Sequence, residues 1–175
     1  RFDFQARQLS DPTKNEIMGV FQRLGRELGP NDQLAVYYAG QSYTEPRSGQ
    51  SYWLPRDAKT NSARNWLSGD RVYRTLDAMG LKQALLMADS EFNVSEATQN
   101  LRVERTGTPV GVVSSATGRS VQAAPGDSHS AFTWQVALEL INIEDQTPPK
   151  DLLRIIGEGI RQRRPLPFVL DGSAQ

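Results

Sequence analysis

The chain has 175 residues, enough for one domain with a sizeable core, and its 38% hydrophobic and 23% charged content fits a soluble globular protein. Twenty Lys and Arg balance twenty Asp and Glu, which argues against nonspecific nucleic-acid binding, since that needs a clustered basic excess. Cysteine is absent, so disulfides, thiolate metal sites and cysteine nucleophiles are excluded, and a single histidine, His129, excludes a multi-histidine zinc site. No apolar run approaches the roughly 20 residues of a membrane span. The opening "RFDFQARQLS" has no signal-peptide core.

In chain order, "FDFQ" (2–5) reads as a short strand. "SDPTKNEIMGVFQRLGRELGPND" reads as a helix, with Asp11 as N-cap, Pro12 in the first turn and Gly29-Pro30 as the stop. Ile17, Val20, Phe21, Leu24 and Leu28 fall on one helical face. The strand Leu34–Ala39 follows. The polar, aromatic stretch "QSYTEPRSGQSYWLPRDA" predicts a hairpin and then a loop. "SGDRVYRTLDAMG" predicts a second helix, with Ser68 or Asp70 at its cap and Gly80 at its C-terminal stop. "KQALLMADS" (82–90) and "PVGVVSSA" (109–116) read as buried strands. "SHSAFTWQVALELI" reads as an apolar helix capped by Ser130, "TPPKDLLRIIGEGIRQRR" as an amphipathic one, and "PLPFVLDG" as a last strand.

Uniformly apolar strands separated by helices predict a single α/β domain over 1–175, with a mostly parallel sheet covered on both faces. In such folds the ligand crevice lies beyond the carboxyl ends of the strands. Three strand ends therefore carry the functional expectation: Gln41-Ser42, Asp89-Ser90-Glu91 and Ser114-Ser115.

Taken in series, "VYYAGQS", "YWLPRDA", "ALLMADSEF", "GVVSSATG" and "HSAFTWQVALELI" resemble the bacterial caspase-like and metacaspase branch of the caspase-fold cysteine peptidases. That branch shows Tyr-Tyr-Ala-Gly-His-Gly, then Leu-Leu-Pro-x-Asp-Ala, then a strand ending Asp-Ser-Cys, then an alanine- and serine-rich strand and a Ser-x-Phe-Thr helix. The resemblance covers nearly the whole chain and implies a three-layer caspase-like sandwich. The departures fall on the chemistry. The family's catalytic histidine aligns with Gln41 and its nucleophilic cysteine with Glu91. A glutamine amide does not titrate near neutral pH, and a carboxylate is a weak acyl nucleophile beside a thiolate. The resemblance thus implies a pseudopeptidase that serves as a scaffold, regulatory or peptide-binding module.

Several site readings stay open. A Gln41 amide facing the Glu91 carboxylate could donate to it; equally, both positions could be solvated polar replacements. The resemblance gives Asp89 a role in holding a basic substrate side chain, against a structural role shaping the loop or capping a helix. Asp57 has the same split, with loop organisation favoured. Ser42 and Ser115, at strand ends, complete the ligand-binding candidates. Ser128 and Ser130 flank His129, but sequence neighbours seldom form a nucleophile–base pair. Tyr43, Tyr52, Trp53 and Trp66 read as loop or core packing or as an aromatic rim for a peptide. The alternative of different chemistry is a carboxylate- or Mg²⁺-dependent hydrolase using Asp57, Asp89 and Glu91. No cofactor is expected. The expected partner is a protein or peptide, with a homodimer through the "PLPFVL" sheet edge as one form; Pro165 and Pro167 would limit such pairing.

The resemblance also predicts a gap. The family places a strand and helix before "FDFQ", and that strand lies mid-sheet. No such segment precedes "FDFQ" in this sequence, so the chain reads as part of a larger protein, or as one whose missing strand comes from a partner or from a rearranged order.

Overall fold

The computed structural model describes residues 5–95, 97–98, 107–115, 130–142 and 158. It is an α/β structure with a three-stranded parallel sheet. The sheet consists of β1 (Gln33–Ala39), β5 (Gln83–Asp89) and β6 (Val110–Ser114), in the spatial order β1-β5-β6. A small antiparallel sheet, β2 (Ser42–Thr44), β3 (Ser51–Trp53) and β4 (Leu67–Ser68), rises from the end of β1. The helices are α1 (Lys14–Glu27), α2 (Gly69–Asp77) and α3 (Ala131–Asn142).

Side chains alternate across a strand, and β5 displays this alternation cleanly. Ala84, Leu86 and Ala88 join Ile17 and Phe21 of α1 and Val72 and Leu76 of α2 in the larger core. Leu85 and Met87 face the other way, against Phe132 and Val136 of α3. The sheet is therefore covered on both faces, as the apolar strands predict.

Local signals explain the helix ends, with one correction. Thr13, not Asp11, is the N-cap of α1: its hydroxyl accepts from the Glu16 N–H while Glu16 reaches back to the Thr13 N–H, a complete capping box. Asp11 lies outside the helix at a positive φ of 49°. A Thr-x-x-Glu box satisfies two end N–H groups, whereas an Asp11 cap would satisfy one. Ser68 caps α2 and Gly80 takes a positive φ just beyond its end. Ser130 caps α3, accepting from the Thr133 N–H at 3.0 Å.

A second correction concerns β1. Its sequence is as apolar as that of a central strand, yet it is the sheet's outer strand: β5 is its only strand partner among the described residues. Every residue of β1 is half-buried or exposed, and Tyr37 is 42% exposed. "FDFQ" apart from Gln5, the "TPPKDLLRIIGEGIRQRR" helix apart from Glu158, "PLPFVL", and His129 with Ser128 lie outside the described residues.

Candidate functional site

β1 and β5 run in parallel register, with Ala39 opposite Asp89. Gln41 and Glu91 thus occupy equivalent places, each two residues beyond a matched pair. Both positions therefore follow the carboxyl ends of adjacent strands. Of the two readings left open, a Gln41–Glu91 hydrogen bond or two separate polar replacements, the bond is not formed.

Gln41 is held by its backbone. Its carbonyl accepts from the Tyr38 hydroxyl at 2.9 Å and from the Leu54 N–H at 2.9 Å. The Tyr38 ring passes so close to Gly40 that a Cβ there would lie 2.7 Å from the phenolic oxygen, so a side chain at 40 would have to displace the end of that ring. Tyr38 also stacks on Trp53, with centroids 3.8 Å apart and planes 8° off parallel. Burial pushes the Tyr38 phenol up to about 12. The Gln41 side chain is exposed, with no hydrogen bond among the described residues.

Glu91 is held differently. The Thr44 hydroxyl of β2 donates to its carboxylate, and its own N–H donates to the Ser42 hydroxyl at 3.2 Å. Thr44 is a short polar residue one turn from the strand end, and it displaces Gln41 as the carboxylate's partner. Behind Glu91 the loop is stitched down. The fully buried Ser51 donates from its hydroxyl to the Asn93 carbonyl at 3.0 Å and accepts from the Asn93 N–H at 2.6 Å. Asp70 accepts from the Ser95 N–H and hydroxyl, both at 2.7 Å. Gly69 makes room, since a Cβ there would sit 2.4 Å from the Asn93 carbonyl oxygen. Sequence reasoning missed Thr44, Ser51, Gly69 and Asp70 as the residues that position Glu91. The one legible signal was the Ser-Gly-Asp start of α2, which also reads as an ordinary helix cap.

Asp89 turns to the opposite side. The Ser130 and Thr133 hydroxyls at the start of α3 both donate to its Oδ2, the second at 3.0 Å. The Tyr37 hydroxyl lies 2.6 Å from the Thr133 hydroxyl, completing a chain from β1 through α3 to β5. Burial first, and then the Asp89 charge, raise the Tyr37 phenol above its ordinary value. Asp89 is therefore bound up with anchoring the α3 cap, and does not share its hydroxyl partners with Glu91. Of the two readings of Asp89, these bonds favour the structural one, capping a helix.

Asp57 organises the loop, as expected: it accepts from the Lys14 N–H at 2.9 Å, while its carbonyl accepts from Asn65 at 3.2 Å. Ser115 is half-buried and gives its N–H to the Ala88 carbonyl at 2.8 Å. Among the described residues no three His, Asp or Glu side chains come together to hold a metal ion. The aromatic set divides. Trp53 is core, packed on Tyr38 and Phe92, while Tyr43, Tyr52 and Trp66 form a partly exposed cluster on the hairpin, with Tyr43 and Trp66 centroids 5.0 Å apart.

No protein-family model matches this chain, and no curated protein does. Among solved structures it is similar to protein GSU0716 from Geobacter sulfurreducens. The TM-score is 0.52 at 15% identity, over 87% of this chain and 70% of that one. A likeness at that identity speaks for the α/β fold alone. No helix among the described residues is long and apolar enough to cross a membrane.

Proposed function

We propose that this chain is a caspase-like domain without peptidase activity, a scaffold or regulatory module that binds a protein or peptide at the ends of β1 and β5. The observation that carries this reading is the Glu91 carboxylate. It stands at the strand end where the resemblance puts a nucleophile, half-buried, fixed by Thr44, and with no cation paired to it among the described residues. Gln41 beside it offers no base. A fixed carboxylate in a partly desolvated crevice suits an Arg or Lys side chain of a partner, because charge-assisted bonds are the stronger kind.

Reporter peptides with Arg, Lys or Asp at the scissile position, with and without Ca²⁺ and Mg²⁺, test both halves. The expected result is no turnover, with Arg and Lys peptides bound at least tenfold more tightly than the Asp peptide, and with that preference lost in Glu91→Gln. Cleavage that disappears in Glu91→Ala would overturn the proposal in favour of a carboxylate-dependent hydrolase.

A further inference from the structure

The two oxygens of the Glu91 carboxylate are not equivalent. The Thr44 hydroxyl of β2 donates to Oε2, while Oε1 has no hydrogen bond among the described residues. The way one oxygen is already used decides which cation suits the carboxylate.

The inequality is built into the hairpin. Ser42 and Thr44 lie two residues apart on β2, so their side chains share a face, and Ser51 of β3 stands opposite Thr44 in the register. The three hydroxyls all grip the segment that follows β5. Ser42 accepts from the Glu91 N–H at 3.2 Å, Thr44 donates to the Glu91 carboxylate, and Ser51 bonds both the N–H and the carbonyl of Asn93. Between these points Phe92 is buried against Trp53, with ring centroids 5.7 Å apart. Glu91 is thus tied through its backbone and through one carboxylate oxygen, and the other oxygen is the one left to a ligand.

Cations differ in how many oxygens they want. A guanidinium meets a carboxylate best as a planar fork, with two parallel N–H···O bonds, one to each oxygen. Here that fork would have to share Oε2 with the Thr44 hydroxyl. An ammonium is a compact point charge whose three donors diverge, and it needs only one carboxylate oxygen. Oε1 meets that need. A hydroxyl oxygen accepts along two lone pairs, so Ser42 keeps one for a second ammonium donor. Glu91 is only half-buried, which leaves water for the third.

We infer that the Glu91 crevice takes a lysine side chain in preference to an arginine, and that Thr44 sets this preference by occupying Oε2. Thr44 is a positioning residue: it acts on the ligand through Glu91. The inference rests on the reading of Glu91 as the ligand carboxylate, and adds which cation is chosen and which residue chooses it.

The test uses the whole chain and two end-blocked peptides, Ala-Ala-Lys-Ala-Ala and Ala-Ala-Arg-Ala-Ala, with binding measured by titration calorimetry. The lysine peptide should bind about fivefold more tightly than the arginine peptide. Trimethylation of that lysine keeps the charge and removes the donors, and should abolish the advantage. Thr44→Val keeps the branched shape that suits a strand but removes the hydroxyl. Oε2 is then released to the fork, and the preference should reverse to about threefold in favour of arginine. Thr44→Ser, which restores a hydroxyl, should restore the preference for lysine. A merely structural role for Thr44 would weaken both peptides together and leave their ratio unchanged.

The wild-type ratio and the trimethyllysine peptide need no variant, so a failure of Thr44→Val to fold, read by circular dichroism, does not shield the inference. Glu91→Gln separates the two levels. If it loses both peptides, the Glu91 reading stands; equal wild-type binding of lysine and arginine, or an unchanged ratio in folded Thr44→Val, then overturns the inference alone. If Glu91→Gln binds both peptides as the wild type does, or if the wild type binds neither, the Glu91 reading falls and the inference falls with it.

Discussion

β1 and β5 are neighbours of equal length in matched register, and both are written in apolar residues, yet they live in different surroundings. β5 is central: it is paired on both sides and its five middle residues are buried. Among the described residues β1 is paired with one strand, and none of its residues is buried. Hydrophobicity along a strand states what the strand can bury, and its neighbours decide how much it does. The site inherits the difference, since Gln41 leaves the looser strand with a free side chain, while Asp89 and Glu91 leave the tighter one with theirs engaged.

The largest test of this contrast uses two residues that face each other in the register, Val36 and Leu86. Leu86 is fully buried, so Leu86→Ala should cost about 2–5 kcal/mol in denaturant unfolding. Val36→Ala removes less area from a half-buried place and should cost about 1 kcal/mol or less. Equal losses would break the contrast.

The sequence made the sheet legible because short continuous apolar runs and the helix-ending glycines act locally. Leu34–Ala39, 82–90 and 109–116 each fall within a residue or two of the observed strands. Nothing in "LAVYYA" itself distinguishes an outer strand from a central one. At the site, the positions of Gln41 and Glu91 followed from the strand ends. Their partners did not. Thr44 and Ser51 reach Glu91 and its loop from 47 and 42 residues away in sequence, and a hydroxyl that satisfies a distant backbone looks like any other surface serine or threonine. Thr13 displaced Asp11 as the cap because Glu16 completes a reciprocal pair, a spacing present in the sequence and outcompeted there by the more conspicuous Asp-Pro.

The two carboxylates that follow β5 give an intermediate effect. Asp89→Ala leaves the Ser130 and Thr133 hydroxyls without their acceptor and frees the start of α3, so it should cost about 2–3 kcal/mol. Glu91→Ala removes one hydroxyl partner at a half-buried site and should cost about 1 kcal/mol. Thermal unfolding of the two variants should therefore separate a carboxylate built into the scaffold from one held ready at the crevice. Equal or reversed losses would mean that Glu91 is structural as well, and would remove the reason to assign it a ligand.

The smallest effect lies at α1. Its capping box holds the Glu16 carboxyl below its ordinary value of 4.5, through the Thr13 N–H first and the Thr13 hydroxyl second. A lowered folded value means that the ionised form is the one the fold prefers. The stabilisation is complete above the unfolded value and fades as the pH falls past it and through the folded one. Thr13→Ala should cost about 1 kcal/mol near neutral pH and should flatten this acid dependence, as should Glu16→Gln. If α1 is held to the sheet mainly by Ile17 and Phe21 near its start, loosening that first turn should speed amide exchange along β1 before it touches β5. Exchange that rises in both strands together would show that α1 supports the sheet as one body.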